Sequence, residues 1–200
     1  MMLAFMKKYS YDAVRMLLNQ CAISIFGLVL TIACQLAGNG TLRLICSVLA
    51  IVFYLFLIYT MTWEMGSKDG ISADFGHAER QPLKGFFISL MANALNFLMA
   101  LGVALGTLVA DGGFFSNLGG FCGSAALLLQ GMYTGVLAEH VGGAALNSYW
   151  FSYFLTPLPA MLTALLAYIL GMRNVKFTKL FDVQYPESDR EPKKKKDKKK

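Results

Sequence analysis

Residues 86–110 read FFISLMANALNFLMALGVALGTLVA, a run without a single charge. As a helix rising about 1.5 Å per residue, this stretch is long enough to cross the roughly 30 Å of hydrocarbon in a bilayer. Its polar residues share a face. Ser89, Asn93 and Asn96 stand at i, i+4 and i+7, and Ala100 extends the row at i+11. An amide turned toward lipid is costly, so this face is expected to look at other helices, which the remainder of the chain must supply.

Upstream lie two further apolar runs. Residues 1–20, MMLAFMKKYSYDAVRMLLNQ, mix Lys7, Lys8 and Arg15 with large apolar residues and read as a short amphipathic helix at the membrane interface. The run 21–37 follows as a first span, with Gln20, Ser24, Thr31 and Gln35 on one polar face. A basic start before an apolar middle resembles a signal peptide. No A-x-A site follows, however, and Thr31 stands where a lipobox has Leu, so a retained helix is expected. After the turn Gly38-Asn39-Gly40, residues 42–63 give a second span, in which Tyr54, Tyr59 and Trp63 read as lipid-facing and interfacial anchors. Residues 64–85 form the one substantial polar loop.

Downstream, the run 121–138 is apolar enough to insert but dense in glycine. Gly119 and Gly123, and then Gly131 and Gly135, repeat the small-xxx-small step that Gly102 and Gly106 begin, a spacing that lets helices approach closely. A last span, 151–171, is interrupted near its start by Thr156-Pro157-Leu158-Pro159, where a kink is expected. Residues 172–200 form a basic tail whose end is expected to be disordered.

Composition agrees with this reading. The chain of 200 residues is 56% hydrophobic and 15% charged, against about 25% charged for soluble domains; its mean hydropathy is +0.52. The expected fold is therefore all-α: a polytopic membrane bundle of four transmembrane helices plus a Gly-rich segment, 121–138, that is either re-entrant or a fifth helix.

Charge placement decides between four and five crossings. Lys7, Lys8 and Arg15 precede the first span, Lys68, Arg80 and Lys84 lie in the polar loop, and eleven Lys and Arg follow Gly171. Only Arg43 of the 18 basic residues is left. Four crossings put all the others on one side, which the positive-inside rule makes cytoplasmic; five would separate them. Both termini are expected in the cytoplasm, in the cell membrane.

Chemistry-bearing motifs are scarce. Cys21, Cys34, Cys46 and Cys122 sit in apolar stretches without a CxxC pair and read as small buried residues. Asp69-Gly70-Ile71-Ser72-Ala73-Asp74 resembles the opening of the CDP-alcohol phosphotransferase signature, DGxxAR. Asp74 stands where that signature requires Arg, Leu83 where it has its next Gly, and its later Asp residues are missing, so no site is carried over. Asp69, Asp74, His77, Glu79 and Arg80 form the densest ionisable set, read as a solvated loop with a metal or phosphate site as the lesser alternative; Glu139-His140 is a second such pair. No nucleophile elbow, HExxH or P-loop is present.

These absences favour a small non-catalytic accessory or interaction subunit of a membrane assembly, associating with a membrane-protein partner or a second copy and needing no cofactor or metal. A transport component with an uncharged site between helices is the alternative, and a membrane-embedded enzyme the third. Nucleic acid is not an expected partner, because the basic charge describes a tail. The natural partner of Asn93 and Asn96 is the stripe Ser24, Thr31 and Gln35.

The tail makes a first prediction. Lys193, Lys194, Lys195, Lys196, Lys198, Lys199 and Lys200 face one acidic residue, Asp197, and anionic headgroups attract each basic residue by about 1 kcal/mol. A peptide of residues 185–200 should bind anionic vesicles in a low-salt flotation assay and be released by about 0.5 M salt, where the screening length is only a few ångströms. Equal binding to neutral vesicles contradicts this.

Overall fold

The computed structural model describes residues 2–77, 79–109 and 113–175; the tail lysines Lys193–Lys200 lie outside them. Among the described residues eight α-helices carry the fold: α1 (Met2–Leu36), α2 (Gly40–Asp74), α3 (Lys84–Ala92), α4 (Ala94–Leu108), α5 (Phe114–Leu129), α6 (Thr134–Leu137), α7 (Ser152–Leu155) and α8 (Leu158–Met172). A 3-10 turn, Gly131–Tyr133, joins α5 to α6. A two-stranded ribbon, β1 (His140–Val141) against β2 (Ala144–Ala145), precedes α7. Tyr9–Leu36, α2 and Ser152–Met172 are each long and apolar enough to cross a membrane, and the bent pairs α3–α4 and α5–α6 bring the candidates to five.

Helix α1 runs through residue 20, where the sequence suggests a boundary between an interfacial helix and a span. Its inward stripe explains this. Ala13, Met16, Gln20, Ile23, Ser24, Thr31 and Cys34 are all buried, at helical spacing, so one packed face stabilises both parts. Turn residues Ala37–Asn39 then reverse the chain; Gly38 adopts φ 68°, and the Asn39 side chain accepts the Leu42 N–H at 3.0 Å to cap α2.

Helix α2 also outruns its expected span, consuming half of the polar loop. At 35 residues it is about 52 Å long, more than a bilayer requires. Its far end persists because it packs on α8 through small residues: a Cβ on Gly66 would overlap the Tyr168 carbonyl, and one on Gly171 the Trp63 carbonyl. Tyr54 is 2% exposed and belongs to the core rather than to lipid. Trp63 does stay at the surface, donating to the Val175 carbonyl at 2.9 Å.

The opening stretch of the sequence analysis is not one straight span. It bends by 54° at Asn93. The glycine-rich stretch bends by 87° at Gln130. Between these bends α4 and α5 form a closed hairpin: a Cβ on Gly102 would strike Cys122, and one on Gly106 would come within 2.5 Å of the Gly119 Cα. Gly123 takes little part, with only Val103 in reach.

The two ends of the bundle are fixed by ion pairs. At one end Lys84 meets Asp69 at 2.5 Å, and Tyr168 donates to the same carboxylate, joining the starts of α3 and the ends of α2 and α8. At the other, Arg43 meets Glu139 at 3.1 Å, beside the α1–α2 turn. Helix α3 thus rises from the Lys84 end to the middle of the bundle. The hairpin departs there and returns, and the 3-10 turn with α6 climbs on to the Arg43 end. Helix α8 leads back to the Lys84 end.

Close packing at glycine makes the second prediction. Gly171→Ala should lower the melting temperature in detergent, since overpacking costs about 1–3 kcal/mol. Gly120→Ala, whose Cβ would meet nothing within 4 Å, should leave it unchanged. Equal melting of the two variants would show that α2 and α8 do not pack this tightly.

Candidate functional site

Three helices break at one place. The first break is at Asn93, whose side-chain amide donates to the Ser89 carbonyl at 2.9 Å, the same carbonyl that takes the Asn93 backbone N–H. Such a side-chain bond to the preceding turn bends a helix. Asn96 donates in turn to Asn93 Oδ1 at 2.8 Å. Ser89, Asn93, Asn96 and Ala100 are 3% exposed or less, so the face the spacing defines is inside.

The second break, at Gln130, ends α5 in the interior and leaves its last carbonyls without helical partners. Helix α1 supplies them. Gln20 Nε2 and Ser24 Oγ donate to the Leu129 carbonyl at 3.1 and 2.6 Å. Ser47 of α2 donates to the Met132 carbonyl at 2.6 Å and accepts the Val136 N–H at 3.3 Å. Gly131 and Gly135 make this possible, because a Cβ on either would run into α1 at Ser24 or α2 at Ser47.

The third break is Thr156-Pro157. Pro157 has no N–H to continue α7, and α8 starts afresh at Leu158. Thr156 Oγ1 donates to Gln130 Oε1 at 2.6 Å, tying the third break to the second. Asn93, Asn96, Gln130, Thr156 and Pro157 line one small cleft with Gln20, Tyr54 and Tyr133. The cleft is closed; no water-sized sphere fits it.

Three polar atoms of this cleft's lining residues are spare. Among the described residues, Asn96 Oδ1, Gln130 Nε2 and Tyr133 Oη have no hydrogen-bond partner. Asn96 and Gln130 are each 1% exposed and Tyr133 7%. An unpaired buried polar atom costs about 1–3 kcal/mol, and a set that includes an acceptor and donors can serve a neutral group of either sense. The cleft carries no Asp, Glu, Lys, Arg or His.

The expected pairing of Asn93 and Asn96 with Ser24, Thr31 and Gln35 is not what forms. Ser24 serves the Leu129 carbonyl, the Thr31 hydroxyl lies 3.1 Å from that of Thr134, and Gln35 is exposed beyond the packed part of α1. Ser24 meets backbone instead, since the interrupted end of α5 presents a carbonyl that the helix itself leaves without a donor. The sequence pattern does not mark Ser47, Tyr54 and Tyr133 as site residues. Ser47 is one hydroxyl in an apolar helix, and tyrosines there read equally as anchors.

A second cleft, of about 500 Å³, lies at the Lys84 end between Tyr9, Asp69, Ser72, His77, Glu79, Gln81, Lys84 and Tyr168. It unites Asp69, His77 and Glu79 of the ionisable set but not Asp74 and Arg80, which pair with each other on the surface. Among the described residues no three His, Cys, Asp or Glu side chains cluster as a metal site requires. His140 is exposed on β1, and Glu139 is engaged by Arg43.

The shared acceptor gives the third prediction. Gln20→Leu and Ser24→Ala should each destabilise by about 0.6 kcal/mol, a typical hydrogen bond within a bilayer. Together they should cost more than the sum by about 1–3 kcal/mol, because only then is the Leu129 carbonyl left bare. Unfolding by steric trapping in bicelles measures this; simple additivity contradicts the shared acceptor.

Compared with known proteins, the chain matches no family, no curated protein and no solved structure.

Proposed function

We propose that this chain is a transport component of the cell membrane, crossing four times with both termini cytoplasmic, and that the junction of its three broken helices receives a small uncharged polar solute. The observation that carries the reading is the set of spare hydrogen-bonding atoms, Asn96 Oδ1, Gln130 Nε2 and Tyr133 Oη, buried where the three breaks meet. Broken helices are costly inside a bilayer and are tolerated where they are covered by protein or line a cavity; in many transporters they form the substrate site near mid-depth. A cleft whose lining has no Asp, Glu, Lys, Arg or His suits a neutral solute better than an ion.

The topology rests on the same break. Two half-length pieces, α3 and the 3-10 turn with α6, together make one crossing, and α1, α2 and α7–α8 make the other three. Among the described residues, Lys7, Lys68, Arg80, Lys84 and Arg173 then gather at one end and Arg43 stands near the other, the asymmetry expected of a cytoplasmic side. The closed cleft corresponds to a state in which the solute path is shut.

The accessory-subunit reading keeps support from one feature. The hairpin α4–α5 packs mainly on itself and turns Leu98, Leu101, Leu105, Phe121 and Leu128 outward. Such an arm suits a neighbouring membrane protein as well as lipid.

Proteoliposomes separate the two. Under an inward gradient of urea or of glycerol, light scattering should recover faster than in protein-free vesicles for at least one solute. Gln130→Leu should slow the protein-dependent rate about tenfold, as loss of a hydrogen bond of about 1.4 kcal/mol predicts. Rates equal to those of protein-free vesicles for both solutes would abandon transport in favour of the accessory reading.

A further inference from the structure

Four cysteines are scattered through the apolar sequence, and the fold brings two of them together. Cys34 of α1 and Cys46 of α2 lie with their sulfurs 3.6 Å apart, while both remain thiols. They stand six residues on either side of Gly40, so the helix reversal places them at the same height on facing helices. Cys34 is 6% exposed and Cys46 more open.

We propose that Cys34 and Cys46 are a dithiol that closes to an intrachain disulfide. The step balances as thiol–disulfide exchange with a small disulfide oxidant. The more open Cys46, as thiolate, attacks one sulfur of the oxidant, forming a mixed disulfide and expelling a thiolate. Cys34, giving up its proton, attacks the Cys46 sulfur, forms the Cys34–Cys46 bond and expels the oxidant's other half. Two electrons pass to the oxidant, which leaves as two thiols.

The bond would sit beside the seat of α6. Cys34 is one turn beyond Thr31, which faces Thr134, and Cys46 precedes Ser47, which holds the Met132 carbonyl. Closing it staples the two walls between which α6 lies, close to the Arg43–Glu139 pair. Oxidation in the cell rests on the orientation proposed above, which places this end outside, where disulfides persist; the reaction of the purified protein does not depend on it.

The test uses the full chain in detergent, exposed to oxidised glutathione and then denatured and alkylated. Expected are a loss of about 2 Da before alkylation, two alkylated thiols in place of four, a linked Cys34–Cys46 peptide, and a higher melting temperature. Cys34→Ala and Cys46→Ala should each abolish the linked peptide. Four alkylated thiols, or links through Cys21, Cys122 or a second copy, would overturn the proposal. Cells quenched in acid and alkylated before lysis form the second arm. A pair that closes in the purified protein yet is fully reduced in the cell would overturn the orientation and leave the dithiol standing.

Discussion

Within an apolar layer a helix cannot simply stop, because its last carbonyls have no water to turn to. Helix α5 stops inside the bundle nonetheless, and the Leu129 carbonyl is held by Gln20 and Ser24 at 3.1 and 2.6 Å. That capture permits the 87° bend at Gln130. The bend in turn lets the 3-10 turn and α6 run along α1 toward Arg43, and it brings Gln130 to Thr156 and the broken start of α8. Were Leu129 bonded within a continuous helix, Gly131 would not reach Ser24, nor Glu139 reach Arg43.

On the proposed topology the consequence is a crossing divided in two. Helix α3 occupies the half near Lys84, α6 the half near Arg43, and the hairpin α4–α5 is a lateral insertion between them. Each half is too short to cross alone; α3 has 9 residues, about 14 Å. Their meeting point is where backbone continuity is lost, and there the chain has placed amides, a hydroxyl and two tyrosines instead of aliphatic side chains. Uncharged polar groups suit such a point, since they satisfy broken backbone without the larger cost of burying charge.

Much of the scaffold is legible in the sequence, for local reasons. Apolar runs of spanning length mark the helices, and the 3.6-residue period places Ser89, Asn93 and Asn96 on one buried face. Proline at 157 and 159 marks the break before α8, and the steps Gly102–Gly106 and Gly131–Gly135 mark close approach. The bends at Asn93 and Gln130 are not legible, because hydropathy continues through both. What bends α5 is a pair of donors more than a hundred residues earlier in the chain, and no local window contains them. The persistence of α2 through Gly66 and Gly70 is similarly tertiary, since two glycines beside Lys68 and Asp69 read as a loop until α8 is laid against them.

The divided crossing is the central claim, and sided cysteine labelling tests it most directly. In a chain with its four native cysteines replaced by alanine, Thr41→Cys, Gln81→Cys and Val141→Cys each place a thiol at an exposed position. A membrane-impermeant maleimide, applied to intact cells and to inverted vesicles, reports the side of each. The account predicts that positions 41 and 141 label from one side and position 81 from the other. Labelling of 81 and 141 from the same side would mean that residues 84–139 cross twice, and the divided crossing would be wrong.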